Sequence, residues 1–211
     1  MARGSFTGFP AEGIEFFEGL AADNSKTFWT AHQTTYLQCV KEPMQALLAD
    51  VEAEFGPGRL RRAHRDTRFS ADKSPYHLHL SAGVPTEVGE FYVALKYDCL
   101  IAGVGAYELD PAQLVRLRAA IDEERTGADL ARRIAAAERA GLVVSGQALS
   151  RVPRGYPADH PRAGLLKRKS LVVAASWPPA AWLGTAKARD RVVATWRAGR
   201  PVLEWATEVL E

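Results

Sequence analysis

The sequence has little cysteine and no long apolar run, which argues against a secreted protein and against a membrane-spanning one. Cys39 and Cys99 are the only cysteines in 211 residues, whereas a secreted protein of this size more often carries several. The longest nearly uncharged stretch, residues 171–186, contains Pro178 and Pro179 and is too short to span a bilayer. We therefore expect a cytoplasmic protein with no membrane partner.

Motifs for a bound cofactor are also lacking. The sequence contains no glycine-rich phosphate loop, dinucleotide-binding fingerprint, zinc-ribbon spacing or nucleophile elbow, so we expect no cofactor and no metal. His77 and His79 lie two residues apart on one face of a predicted strand, which is a spacing that can bind a metal. Because nothing supplies a convincing third and fourth ligand, even with His64 nearby, we favour a solvated polar strand face over a metal site.

Net charge is small, at +2, but its distribution is uneven. Residues 59–80, the first basic segment, carry six Lys or Arg and two Asp. Residues 151–169, the second basic segment, carry six Lys or Arg and one Asp. The rest of the chain is therefore acidic, and the two basic segments are the natural places to look for a ligand.

The periodicity of apolar residues predicts an α+β fold in a single domain over residues 1–211. We expect a mainly antiparallel sheet of about five strands packed against N-terminal, central and C-terminal helices. A helix is expected to kink or restart at Pro43, and Gly199–Pro201 to interrupt the last helix. The predicted strands lie near residues 76–84, 91–97, 99–107, 142–144 and 171–175. The predicted helices lie near residues 14–21, 28–40, 47–55, 111–121, 127–140 and 186–210.

The segment Arg65–Tyr76 concentrates groups that bind anions. Guanidinium and ammonium groups suit carboxylates and phosphates, so Arg65, Arg68 and Lys73, with Tyr76 beside them, are candidate ligand-binding residues. The alternative is an internal network in which Asp66 and Asp72 pair with the same arginines and fix the loop. The sequence leaves both interpretations open.

The second basic segment offers Arg162 and Lys169 as further ligand-binding candidates. His160 is the one weak candidate for a catalytic proton-transfer group, since imidazole titrates near neutral pH. The competing interpretation is that Asp159 or His160 caps a helix opened by Pro161. If that helix pointed at the first basic segment, its free amides would add to an anion site.

Several motifs together resemble one family. The sequence is similar to the bacterial and fungal domain-of-unknown-function family numbered 2461, and the central segment is the most specific match. The resemblance implies no established activity or catalytic residue, because the family is uncharacterised. In relatives the second motif reads more like Asn-Asn-Arg-Glu-Trp-Phe, whereas this chain has Thr27 at the acidic position. The motifs are Phe6–Phe9, Asn24–Trp29, Pro43–Met44, Arg65–Tyr76, Tyr107–Pro111 and Gly155–Pro161.

Three functions compete at this point. The first is a basic pocket, formed where the two basic segments meet, that binds a small anionic ligand and in particular one bearing a phosphate. The second is nucleic-acid binding along an exposed basic stripe, which the acidic remainder of the chain disfavours. The third is a protein-interaction or scaffold module without chemistry. The sequence does not decide whether the protein is an enzyme.

Overall fold

The computed structural model describes residues 5–211 and confirms the α+β class. Six antiparallel strands form one sheet, where the sequence predicted about five. The additional strand is only two residues long, and too short to show an alternating pattern. The strands are β1 (Arg59–Leu60), β2 (His79–Pro85), β3 (Glu90–Lys96), β4 (Leu100–Ala106), β5 (Val143–Ser145) and β6 (Leu171–Trp177). The helices are α1 (Ala11–Ala22), α2 (Lys26–Ala31), α3 (Gln33–Tyr36), α4 (Glu42–Phe55), α5 (Pro111–Asp122), α6 (Glu124–Arg139), α7 (Ala163–Leu166) and α8 (Lys187–Leu210).

Short turns explain the order of the sheet, which is β1-β2-β3-β4-β6-β5. The β2–β3 turn is closed by the Thr86 N–H, which donates to the Gly89 carbonyl, and the β3–β4 turn by the Lys96 N–H and the Cys99 carbonyl. Sequential strands joined in this way must run antiparallel. The sheet order departs from the chain order only at β5, which lies outside β6 at the edge.

The stretch from α2 to α4 is divided further than the two helices predicted near residues 28–40 and 47–55. Ser25 caps the start of α2, because its Oγ accepts the Phe28 N–H at 3.1 Å. The first break falls at His32, whose φ of −111° and ψ of 13° are not helical. Residues Leu37–Lys41 then form a π-helical turn. Pro43 lies in the first turn of α4, where a missing N–H is tolerated, so a helix starts again here, which is the second of the two alternatives expected at this proline.

Helix α8 is continuous through Pro201, so the predicted interruption at Gly199–Pro201 is wrong. Proline inside a helix costs about 3 kcal/mol. Trp196, Val202 and Trp205 are almost completely buried on this helix, and each such side chain contributes about 1.5–3 kcal/mol. Burial of this apolar stripe therefore outweighs the proline.

The described elements group into two compact units, each with its own buried core. The first unit comprises residues 1–84, 92–102 and 176–193, and the second comprises residues 85–91, 103–175 and 194–211. Aromatic rings dominate the N-terminal core of the first unit. Aliphatic residues dominate the core of the second, together with Trp205. No helix within residues 5–211 is long and apolar enough to cross a membrane.

Candidate functional site

The first basic segment folds back on itself as a hairpin-like loop in the first unit. His64 and Tyr76 form an antiparallel bridge, and the Arg65 N–H donates to the Pro75 carbonyl at 2.8 Å. The His77 N–H donates to the Ala63 carbonyl on the other side of this bridge. Residues 66–74 therefore form the tip of a two-stranded stem, and Phe69 at the tip is 96% exposed.

The charges of this loop face one another. Arg65 pairs with Asp72, and Arg68 pairs with Asp66 at 2.6 Å. These contacts, with the hydrogen bonds from Ser74 to Asp72 and from the Arg68 backbone to Asp66, lower the pKa of both aspartates. The geometry thus matches the internal network, and ligand binding by these residues stays a prediction.

Lys73 and Tyr76 are also engaged. The Lys73 Nζ donates to the Thr67 carbonyl at 2.9 Å within the loop. The Asn24 side chain holds the Tyr76 backbone from both sides, donating to its carbonyl at 3.0 Å and accepting its N–H at 3.1 Å. The Tyr76 ring stacks on Trp29, with centroids 4.2 Å apart and planes within 5°. The motif around Asn24 therefore fixes the base of the loop.

A pocket of about 290 Å³ opens beside this stacked pair, and we call it the Trp29 pocket. Helices α2 and α3 with the π-helical turn form one wall, and the chain from β1 to His64 forms the other. Trp29 and Tyr36 are buried in the wall, with ring centroids 4.7 Å apart. The pocket is lined by Trp29, Gln33, Tyr36, Leu37, Lys41, Leu60, Arg61, Arg62, Ala63, His64 and Leu80.

The polar lining of the Trp29 pocket is basic. Lys41, Arg61 and Arg62 contribute three permanent positive charges and His64 a titratable group, and none of the described lining residues is acidic. Within residues 5–211, no side-chain hydrogen bond or ion pair engages Lys41 or Arg62. The charges of Lys41 and Arg62 are therefore available to an incoming anion, unlike those of the loop.

Tyr36 adds a neutral donor to the same pocket. Burial raises the pKa of its phenol to about 12, so the hydroxyl keeps its proton at neutral pH. A protonated phenol donates one hydrogen bond and repels no anion.

The π-helical turn positions part of this lining. Leu37 and Lys41, its first and last residues, both line the pocket. A π-helical turn holds an extra residue compared with an α-helical turn, and such turns occur frequently at functional sites. The local backbone therefore sets where the Lys41 ammonium group points.

In the second unit, Arg162 is occupied by the protein itself. Its guanidinium donates to the Ile121 carbonyl at 2.7 Å, the Asp122 carbonyl at 3.0 Å and the Glu124 carboxylate at 3.0 Å. The side chain is only 9% exposed, and a Cβ at Gly127 would lie 2.5 Å from its Nε. Arg162 thus satisfies the carbonyls at the end of α5.

His160 also has both ring nitrogens engaged. Its Nδ1 accepts the Arg162 N–H at 3.0 Å, and Nε2 lies 3.3 Å from the Asp122 carboxylate. An accepting Nδ1 requires the neutral ring to carry its proton on Nε2. Arg162 is the N-cap of the helix that follows, and no side chain caps it, so the expected capping by Asp159 or His160 is not found. Proton transfer by His160 stays a prediction. The following helix, α7, begins at Ala163 and has only four residues.

Lys169 completes the candidates of the second unit. Its backbone N–H donates to the Gln147 carbonyl at 2.8 Å, while its side chain is exposed. The neighbouring Arg168 instead directs its guanidinium to the carbonyls of residues 144–146. Ligand binding by Lys169 stays a prediction.

His77 and His79 share a face, with ring centroids 5.2 Å apart. Burial and then the charge of Arg65 lower the pKa of His77. Burial, followed by His77, Lys96 and Arg61, lowers the pKa of His79. The same positive surroundings disfavour a metal cation, and no group of three metal-ligating residues occurs in the described part of the chain.

Comparison with known proteins places the chain in a family. A family model described as "Conserved hypothetical protein (DUF2461)" matches residues 12–205. The chain belongs to this family. The resemblance inferred from the motifs is thereby confirmed, and the description of the DUF2461 family names no activity or ligand. A search among curated proteins found no match.

Three basic residues that line the Trp29 pocket were not singled out as ligand-binding by the sequence. Lys41 lies just after the helix predicted near residues 28–40 and gave no signal by itself. Arg61 and Arg62 were counted in the first basic segment, but Arg65, Arg68 and Lys73 were singled out because they belong to the Arg65–Tyr76 motif. A basic pair directly before the Arg65–Tyr76 motif was the available signal.

Proposed function

We propose that the protein binds a small anionic ligand in the Trp29 pocket. Lys41 and Arg62 bind the anion, Arg61 adds to the positive potential, and Tyr36 donates a hydrogen bond. The observation that carries this proposal is that Lys41 and Arg62 line the pocket without an ion-pair partner among the described residues, which contrasts with the paired charges of Arg65 and Arg68.

Electrostatics support this location over the loop. An anion that binds at Arg65 or Arg68 first has to displace Asp72 or Asp66, whereas one that binds at Lys41 or Arg62 displaces only water. Charge-assisted hydrogen bonds are about twice as strong as neutral ones, so available cations beside a partly apolar wall make a favourable anion site. The proposal therefore places the anion at Lys41 and Arg62 and not in the Arg65–Tyr76 loop.

The shape and chemistry of the pocket limit the ligand class. About 290 Å³ is at the small end of the range for ligand pockets, which begins at roughly 300 Å³. Trp29, Leu37, Leu60 and Leu80 provide apolar contact surface, while the charged residues lie on the remaining lining. This combination suits a phosphate or carboxylate that carries a compact apolar body.

Calorimetric titration tests the proposal. Inorganic phosphate and a compact phosphomonoester, phenyl phosphate, are titrated into the wild type and into the double variant Lys41→Gln/Arg62→Gln. We expect phenyl phosphate to bind the wild type more tightly than phosphate does, and the variant to lose at least about tenfold in affinity, which corresponds to 1.4 kcal/mol.

A matched control removes the same charge elsewhere. Lys187→Gln/Arg139→Gln changes two exposed cations outside the pocket and should leave affinity unchanged. Equal losses in both variants, or no binding by the wild type, would contradict the proposal. If Arg65→Gln/Arg68→Gln abolished binding while Lys41→Gln/Arg62→Gln did not, the anion site would lie in the loop instead.

A further inference from the structure

A second concave surface lies in the first unit, between α1 and the chain that follows β6. We call it the Phe9 groove, and its volume is about 500 Å³. Phe9 and Leu183 form a buried floor. The groove is lined by Phe9, Ala11, Ile14, Glu15, Glu18, Pro179, Ala180, Ala181, Leu183 and Gly184.

Specific contacts hold the two walls in place. The Phe9 N–H donates to the Leu183 carbonyl at 2.8 Å and joins the walls at the floor. Gly8, at a φ of +132°, approaches Gly184 so closely that a Cβ would lie 2.1 Å from the Gly184 carbonyl carbon. Only glycine fits this approach, and the groove is therefore part of the fold.

A cation–π contact fixes the far wall. The Arg191 guanidinium lies 4.5 Å from the Trp182 ring centroid and 5.7 Å from that of Trp177. The adjacent Pro178–Ala181 segment is exposed but restricted by its two prolines. Because both walls are held in this way, a ligand loses little free energy to ordering the protein.

The charge of the groove is opposite to that of the Trp29 pocket. Glu15 and Glu18 are the charged residues among its lining, and they lie three residues apart on the same side of α1. Within the described residues neither carboxylate has a hydrogen-bond or ion-pair partner. The remaining lining residues are apolar or glycine.

We propose that the Phe9 groove binds a basic amphipathic helix of a partner protein. Apolar side chains of the helix, spaced three and four residues apart, enter the groove, and its Lys or Arg residues meet Glu15 and Glu18. The acidic rim selects such a partner, because a second copy of this groove would bring like charges together. Because the net charge of the protein is +2, the protein as a whole does not attract a basic helix. The attraction comes from Glu15 and Glu18 at the groove.

Fluorescence anisotropy with designed peptides tests this inference. The probe is a labelled amphipathic helix of Leu and Lys, and the control peptide has Glu in place of every Lys. We expect the full-length protein to bind the Leu/Lys peptide and not the Leu/Glu peptide. The double variant Glu15→Lys/Glu18→Lys should weaken binding at least about tenfold.

Two further variants separate the groove from general charge effects. Glu52→Lys/Glu138→Lys makes the same change in net charge at exposed positions outside the groove and should leave binding unchanged. Ala181→Tyr fills the groove at an exposed position without changing charge and should weaken binding. Thermal melts of all variants verify that each is folded.

Several outcomes would overturn the inference. One is equal binding of the Leu/Lys and Leu/Glu peptides. Another is an equal loss of affinity in Glu15→Lys/Glu18→Lys and in the control Glu52→Lys/Glu138→Lys. Binding that survives both Ala181→Tyr and Glu15→Lys/Glu18→Lys would place the peptide elsewhere. Concentration-dependent dimerisation that Ala181→Tyr abolishes would show that the occupant is a second copy. Because these variants lie outside the Trp29 pocket, the result is independent of the phosphate titration.

Discussion

Trp29 and Tyr76 stack face to face with centroids 4.2 Å apart, and this contact joins the second helix to the base of the Arg65–Tyr76 loop. Asn24 reinforces it by bonding both the N–H and the carbonyl of Tyr76. Trp29 of this pair lines the Trp29 pocket, so the loop supports the pocket through Tyr76 even though its own charges are paired internally.

Replacing Asn24 with alanine should destabilise the protein by about 1–3 kcal/mol, because two partly buried backbone groups lose their partners. Urea denaturation measures the change in the free energy of unfolding. Gln45→Ala, at an exposed position of α4, is the control and should stay within about 0.5 kcal/mol. Equal stability of the Asn24 variant and the wild type would show that the clamp contributes nothing.

Arg162→Ala should lower the free energy of unfolding by about 2–4 kcal/mol. The carbonyls at the end of α5 lose their donors, and the side chain that joins this end to Glu124 at the start of α6 is removed. Arg162→Lys should not restore stability, since an ammonium group cannot reproduce the planar fork of a guanidinium. Chemical denaturation gives both values. The exposed Lys169→Ala should have little effect, and a full rescue by lysine would contradict the capping role.

Acid should weaken the start of α6 through Glu123. Hydrogen bonds from the backbone N–H groups of Thr126 and Arg125 lower its pKa to about 2. The unfolded chain protonates this carboxyl near pH 4.3, so the stabilisation is complete above that pH and is lost as the pH falls towards 2. Glu123→Gln should therefore show a flatter dependence of melting temperature on pH across this window. Parallel curves for variant and wild type would refute the assignment.

Lys96→Gln should raise the pKa of His79. Burial is the largest cause of its lowered pKa, but His77, Lys96 and Arg61 each add to it. Because a lowered histidine pKa means that the unfolded chain binds protons more readily, this residue reduces stability as pH falls below about 6.5. Nuclear magnetic resonance titration of the ring protons gives the pKa in each protein. Arg139→Gln removes a charge that is not among the causes of the His79 shift and serves as the control.

Local signals explain how much of the fold was predictable. Ser25 and the Asp110 capping box mark helix starts by contacts within a few residues, and the alternation from Phe91 to Leu95 reports one buried face. The π-helical turn and the continuous helix through Pro201 depend on packing against distant parts of the chain. A pattern of single residues carries no information about that packing.

The same distinction applies to the candidate site. The charge density of residues 59–80 located the first basic segment, but it did not show that Arg65 pairs with Asp72 seven residues away. The Trp29 pocket also needs Lys41, which belongs to a helical segment with no basic clustering. That the charge of Lys41 is available to an anion follows only from the structure, in which the helices and β1 surround the same cavity.

The π-helical turn at Leu37–Lys41 has a consequence for how this protein tolerates insertions and deletions. A π-helical turn takes up one residue more than an α-helical turn, so deleting one residue here would restore regular winding while the segments on either side keep nearly the same faces. Such a deletion would leave the flanking helices intact but remove the widened turn whose first and last residues, Leu37 and Lys41, line the Trp29 pocket. The widened turn thus absorbs one residue between two helical segments, and a one-residue gap in a sequence alignment of this region belongs at this turn.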